Sequence, residues 1–300
     1  MSTALALEGK LAALRAYIRG FSSAVTAYSG GVDSALVMAI AHEELGDAAL
    51  ACVGVSASLA AREERAALAL AERLGARVRR VYPEELRDPR YAANPENRCF
   101  YCKTALYARV AALASDEGIE AVFDGTNLDD LASDDRPGIA AARAAGVRFP
   151  LVEAGLSKAD VRAAARELGL PVWDKPAMAC TASRVPHGDP ITAARLAQIE
   201  AAEDVLVELG FPEMRVRCHR DVARIEVPPE RLGDLLGLRE AIVPRLRALG
   251  FAFVTMDLAG LRGQAKLIPT AQLKLRPPAN ARPEEPREAP SPLKIVRSER

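Results

Sequence analysis

Apolar positions follow two periods along the first half of the chain. Short apolar runs at Ala24-Val25-Thr26-Ala27-Tyr28, Leu50 to Val55, Val78-Arg79-Arg80-Val81 and Ala121-Val122-Phe123-Asp124 predict strands. Between them, apolar residues recur at helical spacing from Ala35 to Leu45, over residues 60–74 with Gly75 as a stop, and from about Lys103 to Asp116. Strands alternating with helices predict an α/β fold with a doubly wound, mostly parallel sheet. Ser157-Lys158-Ala159-Asp160 predicts a further helix start, with Ser157 as N-cap and Asp160 three residues on. That helix ends at Gly169-Leu170-Pro171.

The pattern then breaks. Residues 171–190 show neither period and hold the only tryptophan, Trp173, together with Cys180 and His187. Irregular stretches this long inside a folded domain are usually functional. Beyond it, Thr192 to Leu209 predicts a helix. Met214 to Cys218 and Ala223 to Val227 predict alternating strands around a His219-Arg220-Asp221 turn. Pro228 to Leu249 predicts a helix and Phe251 to Met256 a last strand. The expected division is an α/β domain over 1–185, a smaller α+β domain for substrate binding or oligomerisation over 186–265, and a proline-rich flexible tail over 266–300.

Composition narrows the function. The 300 residues carry 40 Lys+Arg and 40 Asp+Glu, so the formal net charge is zero. A neutral chain lacks the basic excess of a protein that binds nucleic acid through phosphates. Half of the residues are hydrophobic, which excludes global disorder. No apolar run approaches the ~20 residues of a membrane span, and Met1 to Lys10 shows no secretory signal. These features predict a soluble, cytoplasmic protein acting on small molecules. Its five cysteines are an odd number, so metal, catalytic or core roles are expected rather than a disulfide framework.

Chemistry concentrates first at Tyr28-Ser29-Gly30-Gly31-Val32-Asp33-Ser34, where the first strand meets the first helix. Amide groups at a helix N-terminus favour an anion, and Gly30 and Gly31 let a phosphate approach the backbone. Ser29 and Ser34 add hydroxyl donors. Asp33 would repel a bare phosphate, so its presence points to Mg²⁺-nucleotide. The segment resembles the PP-loop of the ATP pyrophosphatase superfamily and lacks the Gly-Lys-Ser/Thr end of a Walker A loop. That resemblance implies ATP cleaved between its α- and β-phosphates, with the substrate adenylylated. Asp124-Gly125-Thr126-Asn127-Leu128-Asp129-Asp130 also follows a strand, at the edge where an open α/β sheet binds ligands. Its acids either hold Mg²⁺ or, with Asn127 and Asp130, cap the next turn. Gly125, Thr126, Asn127 and Asp130 are the candidate nucleotide contacts there.

Cys99 and Cys102 form a C-x-x-C pair, and Cys180 lies in the irregular stretch, where Lys175 and Arg184 would favour a thiolate. Cys52 and Cys218 fall in strands and read as core residues. Three thiols remain as metal ligands. With His187 as a fourth they would make a closed zinc site. Without it they suit a [4Fe-4S] cluster with one open iron.

The combination becomes specific with Arg136-Pro137-Gly138, Ala179-Cys180-Thr181-Ala182-Ser183-Arg184, Arg215-Val216-Arg217 and Ala223-Arg224-Ile225-Glu226-Val227. Together with the two loops they resemble the LarE family of ATP-dependent sulfur transferases, over about residues 15–262. The resemblance implies a pyridinium-3,5-biscarboxylic acid mononucleotide as substrate, in the biosynthesis of the nickel-pincer nucleotide cofactor, and a homo-oligomeric assembly. A carboxylate of the substrate would be adenylylated with ATP and Mg²⁺, and sulfur would then displace AMP. Family members with one cysteine at the position of Cys180 give up its own sulfur. Members with three hold a cluster whose open iron carries sulfide, and Cys99, Cys102 and Cys180 place this chain with them. Asp33, Cys180, Ser183 and Arg184 are the implied catalytic residues. Arg184, Arg215 and Arg217 suit the substrate's phosphate and carboxylates, because a guanidinium binds both bidentately. Three other readings compete. A tRNA-thiolating PP-loop enzyme lacks support in the neutral charge. An ammonia-dependent synthetase leaves the three cysteines without a role. A nucleotide-binding module without turnover leaves Asp33 unexplained.

Overall fold

The computed structural model of the chain describes residues 3–132, 137–176 and 179–261. Its first part runs through helix α1 (Thr3–Arg19), strand β1 (Ala24–Ala27), α2 (Val32–Leu45), β2 (Ala49–Gly54), α3 (Ala61–Arg73), β3 (Val78–Val81), α4 (Arg98–Asp116), β4 (Ala121–Asp124), α5 (Pro137–Ala144) and α6 (Lys158–Glu167). Its second part comprises α7 (Ala193–Glu208), β5 (Arg215–His219), β6 (Val222–Glu226), α8 (Arg239–Ala248) and β7 (Phe253–Met256).

The strands β1 to β4 form a parallel sheet in the order β3-β2-β1-β4. Alternate side chains serve opposite faces. Val25, Leu50 and Cys52 pack on Val110 and Ala114 of α4. Ala24, Ala49 and Phe123 pack on Leu14, Leu36, Ile40 and Val161, from α1, α2 and α6. Ala51 and Val53 meet Met38, Ala67 and Leu70. Burial on both faces explains why these strands read as apolar runs rather than as alternation. The α/β reading therefore holds. β1 pairs with β2 on one side and β4 on the other, so the chain reverses its winding there. The crevice beyond the carboxyl ends of β1 and β4 is the expected ligand position in such a sheet.

Three features differ from the sequence reading. Helix α1 was not anticipated; it buries Leu11, Leu14 and Ile18 in the core. Helix α4 begins at Arg98 rather than near Lys103, so Cys99 and Cys102 ride on its first turns, three residues apart on neighbouring positions. The stretch from Pro228 to Leu249 is not one helix but a short turn at Pro229–Arg231, a six-residue helix at Leu232–Gly237 and α8.

The second sheet has the order β5-β6-β7, antiparallel between β5 and β6 and parallel between β6 and β7. Arg220 makes the β5–β6 turn at φ +60°. Its apolar core is a separate cluster of Val216, Cys218, Ile225, Phe251 and, from α7, Ile199 and Leu206. No described helix is long and apolar enough to cross a membrane. Arg136 and the stretch 266–300 lie outside the described residues.

Candidate functional site

The loop after β1 needs its glycines for stated reasons. Gly30 sits at φ +75°, and a Cβ there would come within 2.9 Å of the Ala67 Cβ on α3. Gly31 caps α2 without any side-chain acceptor, so no cap side chain competes with an anion for the first amides of that helix. The Ser29 and Ser34 hydroxyls lie 3.1 Å apart, and the Ser29 amide donates to Ser34 Oγ at 3.1 Å. Ser34 Oγ also reaches the Gly31 carbonyl at 3.2 Å. The loop after β4 packs directly on this helix start. A Cβ on Gly125 would stand 2.6 Å from the Ser34 amide nitrogen. The two loops predicted to bind nucleotide therefore meet as one surface.

Asp33 is the electrostatic centre of that surface. Asn127 Nδ2 donates to Asp33 Oδ1 at 2.9 Å, and Lys158 Nζ, at the start of α6, donates to Oδ2. Asn127 also accepts from the Asp129 and Asp130 amides at 3.0 and 3.1 Å, while Asp130 accepts from the Asn127 amide at 3.2 Å. The capping alternative for Asn127 and Asp130 is thus realised, and Asn127 reaches Asp33 as well. Both Asp33 oxygens therefore carry a nitrogen donor here, one of them the Lys158 ammonium. A carboxylate is the kind of oxygen ligand that Mg²⁺ takes, and the cation would share or replace the Lys158 contact.

Thr126 is buried, and its amide and hydroxyl donate to Asp124 Oδ1 at 2.8 and 2.5 Å. The Tyr107 hydroxyl donates to Asp124 Oδ2 at 2.6 Å, and Lys103 lies 3.4 Å from the same oxygen. Burial opposes the charge on Asp124, but Lys103 and these hydroxyl donors outweigh it and hold its pKa below the ordinary value. Burial likewise opposes the Lys103 ammonium, which Asp124 and Tyr107 keep charged. Lys103 follows Cys102 directly, so this pair ties the cysteine helix to the nucleotide loop.

The three candidate thiols share one electrostatic neighbourhood. Burial pushes the Cys102 thiol up to about 12, with Glu85 and Cys180 adding to the rise. Burial and then Cys180 raise Cys99 as well. Cys99 and Cys180 are exposed. Among the described residues no three His, Cys, Asp or Glu side chains stand close enough to hold a metal ion. The donor set suits a thiolate-ligated metal or cluster in kind, while the ligand geometry itself is not formed. His187 does not extend the set. Its Nδ1 lies 3.1 Å from Arg98 Nη1, a cation where a ligand would need a metal. Cys52 and Cys218 are buried in the two cores, as read from the sequence.

Several residues that sequence reasoning missed bring Cys180 to α4. Asn94 is fully buried at φ +56°, and its Nδ2 donates to the carbonyls of Pro186 and Asp189 at 2.7 and 2.9 Å. Its Oδ1 accepts from Arg98 at 2.7 Å. The Thr181 amide donates to the Ser58 carbonyl at 3.0 Å. Ser58 Oγ in turn bonds Glu85 at 2.9 Å and the Tyr91 hydroxyl at 2.7 Å.

Arg184 is placed differently from its expected substrate role. It is 2% exposed. Its Nε donates to Glu203 at 2.8 Å, and its Nη1 to the carbonyls of Ala179 and Cys180 at 2.8 and 3.3 Å and to Ser183 Oγ at 3.0 Å. The guanidinium is committed to the protein and shapes the Cys180 turn. Lys175 also departs from its expected role beside Cys180, because its ammonium goes to the Gly30 carbonyl at 3.2 Å and to Glu63 at 2.7 Å. Arg217 donates to the Ser183 carbonyl at 2.8 Å and to Glu226 at 3.0 Å. Burial, then Arg217 and Arg184, lower the pKa of Arg215. Glu226 and Glu203 oppose that lowering, so the three guanidinium groups share their neighbourhood with two carboxylates.

Comparison with known proteins accords with this arrangement. Residues 8–92 match the NAD synthase family model. An uncharacterized protein from Synechocystis sp. is 44% identical over 257 residues, covering 85% of this chain and 95% of the relative. The pyridinium-3,5-bisthiocarboxylic acid mononucleotide synthase of Lactiplantibacillus plantarum is 41% identical over 257 residues, covering 85% of this chain and 93% of its own. An uncharacterized protein from Methanocaldococcus jannaschii is 25% identical over 235 residues, 78% of this chain and 88% of the relative.

Proposed function

The chain belongs to the LarE family of pyridinium-3,5-bisthiocarboxylic acid mononucleotide synthases, and we propose that it catalyses the sulfur transfer for which the Lactiplantibacillus relative is named. The proposed substrate is pyridinium-3,5-biscarboxylic acid mononucleotide, on the route to the nickel-pincer nucleotide. ATP activates one carboxylate: a carboxylate oxygen attacks the α-phosphorus, pyrophosphate leaves, and an acyl adenylate forms. Sulfur then attacks the carbonyl carbon and AMP departs, leaving a thiocarboxylate. Two such rounds make a bisthiocarboxylate.

The residues divide this work. Ser29, Gly30, Gly31 and Ser34, with the uncapped start of α2, receive the ATP phosphates. Asp33 would hold Mg²⁺ there, with Gly125, Thr126, Asn127 and Asp130 completing the wall. When bound, Mg²⁺ would supply charge neutralisation for the pyrophosphate leaving group. Arg215 and Arg217 bind the substrate's phosphate or carboxylates. Ser183, which accepts from Arg184 at its hydroxyl and from Arg217 at its carbonyl, serves the activated acyl group. Arg184 positions the turn that carries Cys180. Cys99, Cys102 and Cys180 would hold an iron–sulfur cluster, which when bound supplies sulfide as the donor. The division into a nucleotide domain over 1–185 and a substrate or oligomerisation domain over 186–265 belongs to the same proposal, as does a homo-oligomeric state.

One observation carries this reading. It is that Lys175 lies on the PP-loop, 3.2 Å from the Gly30 carbonyl, while Cys180, a few residues further on, lies in the same electrostatic neighbourhood as Cys99 and Cys102, which supports activation and sulfur delivery in one site. The test is anaerobic purification followed by assay of iron, sulfide and zinc, then incubation with ATP, Mg²⁺ and the biscarboxylate. Pyrophosphate, AMP and a thiocarboxylate product are expected over many turnovers. A colourless, iron-free protein that turns over many times would remove the cluster. A single turnover with loss of hydrogen sulfide from Cys180 would assign the sacrificial route instead. Pyrophosphate release without thiocarboxylate would remove the sulfur-transfer reading altogether.

A further inference from the structure

Residue Lys175 is absorbed by neither the loop motif nor the cysteine set, yet its ammonium lies on the PP-loop. It is 145 residues from Gly30 in sequence, and its Nζ donates to the Gly30 carbonyl at 3.2 Å. Its other partner is Glu63, in the first turn of α3, at 2.7 Å. Both side chains are about one-fifth exposed, at 22% and 20%. The backbone behind Lys175 is anchored. Arg162 on α6 donates to the carbonyls of Trp173 and Lys175, both at 2.8 Å. The ammonium is therefore delivered to the loop by a fixed main chain.

Its position is informative because the Gly30 carbonyl belongs to the turn that leads into the uncapped amides of α2. A phosphate seated on those amides would lie within reach of a flexible four-carbon side chain. A carbonyl oxygen is a neutral partner, and Glu63 contributes one charge that solvent screens in part. A triphosphate offers several negative charges at the same place. An ammonium is a compact point charge that suits phosphate.

We propose that Lys175 is a phosphate-binding residue of the nucleotide site, held in the free protein by Glu63 and the Gly30 carbonyl, and that on nucleotide entry its ammonium moves from Glu63 to the phosphates. The inference rests on the PP-loop reading of residues 29–34. It adds that the segment bearing the sulfur-site cysteine also contributes a nucleotide ligand.

Calorimetric titration with a non-hydrolysable ATP analogue and Mg²⁺, on the full chain, tests it. Lys175→Met is expected to weaken binding 10- to 100-fold, and Lys175→Arg to stay within about five-fold of the parent. Glu63→Gln frees the ammonium and is expected to bind as tightly as the parent or several-fold tighter. Equal weakening by Glu63→Gln and Lys175→Met would overturn the proposal, because the pair would then be a permanent tie. Unchanged binding by Lys175→Met would overturn it too. Should Lys175→Met fail to fold, Lys175→Gln takes its place: weakening that Glu63→Gln does not share supports the proposal, and unchanged binding overturns it. Amide exchange around Trp173 to Lys175 gives a second readout. It should slow on adding the analogue to the parent and stay unchanged in Lys175→Met. A parent chain that binds no nucleotide would fell the PP-loop reading first. Normal binding without sulfur transfer would leave the Lys175 assignment standing.

Discussion

Arg184 shows how much can hang on one buried side chain. Its guanidinium and Glu203 are 2% and 1% exposed, and Glu203 also accepts from the Val216 amide at 3.2 Å. Removing Arg184 leaves the buried Glu203 carboxylate with only Arg62 and the Val216 amide as partners, at about 1.5–3 kcal/mol for the lost charge-assisted bonds. Arg184→Met is therefore expected to lower stability by that amount in urea titration and to abolish sulfur transfer, since the Cys180 turn loses the Nη1 donor that reaches Ala179, Cys180 and Ser183. Glu203→Met should cost more, about 3–5 kcal/mol, because Arg184 is then buried without a carboxylate and Arg62 and the Val216 amide lose their acceptor too. If Arg184→Met alone is as stable as the parent, the buried pair is not where it stands here. The thiols offer a second check. Cys180 is exposed, whereas Cys102 is half-buried with its thiol pushed up to about 12. Iodoacetamide on metal-free protein near neutral pH should modify Cys180 first and Cys102 far more slowly. Equal rates would contradict that contrast. Asp124 adds a pH signature. Its folded pKa is depressed below the ordinary 3.8. The stability it contributes is thus present above about 3.8 and is lost as pH falls from there through the lower folded value. Asp124→Asn should flatten the acid limb of a stability–pH curve in that window.

Helix starts decide how far the elements were readable from the sequence. Ser157 accepts from the Asp160 amide at 3.2 Å, and Asp160 accepts from the Ser157 amide at 2.9 Å. Asp160 also pairs with Lys10 of α1 at 2.6 Å, so the box ties α6 to α1. Ser157→Ala should cost about 1 kcal/mol, read from the urea midpoint. A neutral effect would mean the helix start is held by packing alone. This start was legible because capping is a local pattern. The start of α4 was not, because Asn97 makes no side-chain cap there, and nothing in the residues marks Arg98 as helical. The two nucleotide loops were legible as well, since strand ends and glycines lie within one short window. Lys158 as a site residue and Lys175 as a neighbour of the PP-loop, rather than of Cys180, were invisible, because their contacts with Asp33 and Gly30 span 125 and 145 residues. The same holds for Asn94, whose clamp on Pro186 spans 92 residues. Such contacts follow from topology, which no sequence window contains.

At the scale of the molecule, two sheets with separate apolar cores are joined by a polar strap. The Ala61 amide at the start of α3 donates to Glu200 Oε1 at 2.6 Å. Arg62 pairs with Glu203 at 2.8 Å and Asp204 at 2.7 Å, all on α7. Glu203 then passes the link to Arg184 and to β5. The strap therefore connects the helix beside the PP-loop to the strand that carries Arg215 and Arg217, and the proposed reaction needs both. A strap of this kind makes the cores unfold together. Trp173 packs against the first core, so its fluorescence reports that part alone, while far-UV circular dichroism reports the helices of both. Thermal transitions by the two probes should coincide in the parent. Arg62→Met removes charge-assisted bonds worth about 2 kcal/mol, a Tm loss on the order of 4–8 °C. It leaves Glu203 paired with Arg184, so the small sheet keeps its own core. The transitions should then separate, the dichroism falling ahead of the fluorescence as the second sheet melts first. Coincident transitions in Arg62→Met would show that apolar contact, not the strap, couples the two parts.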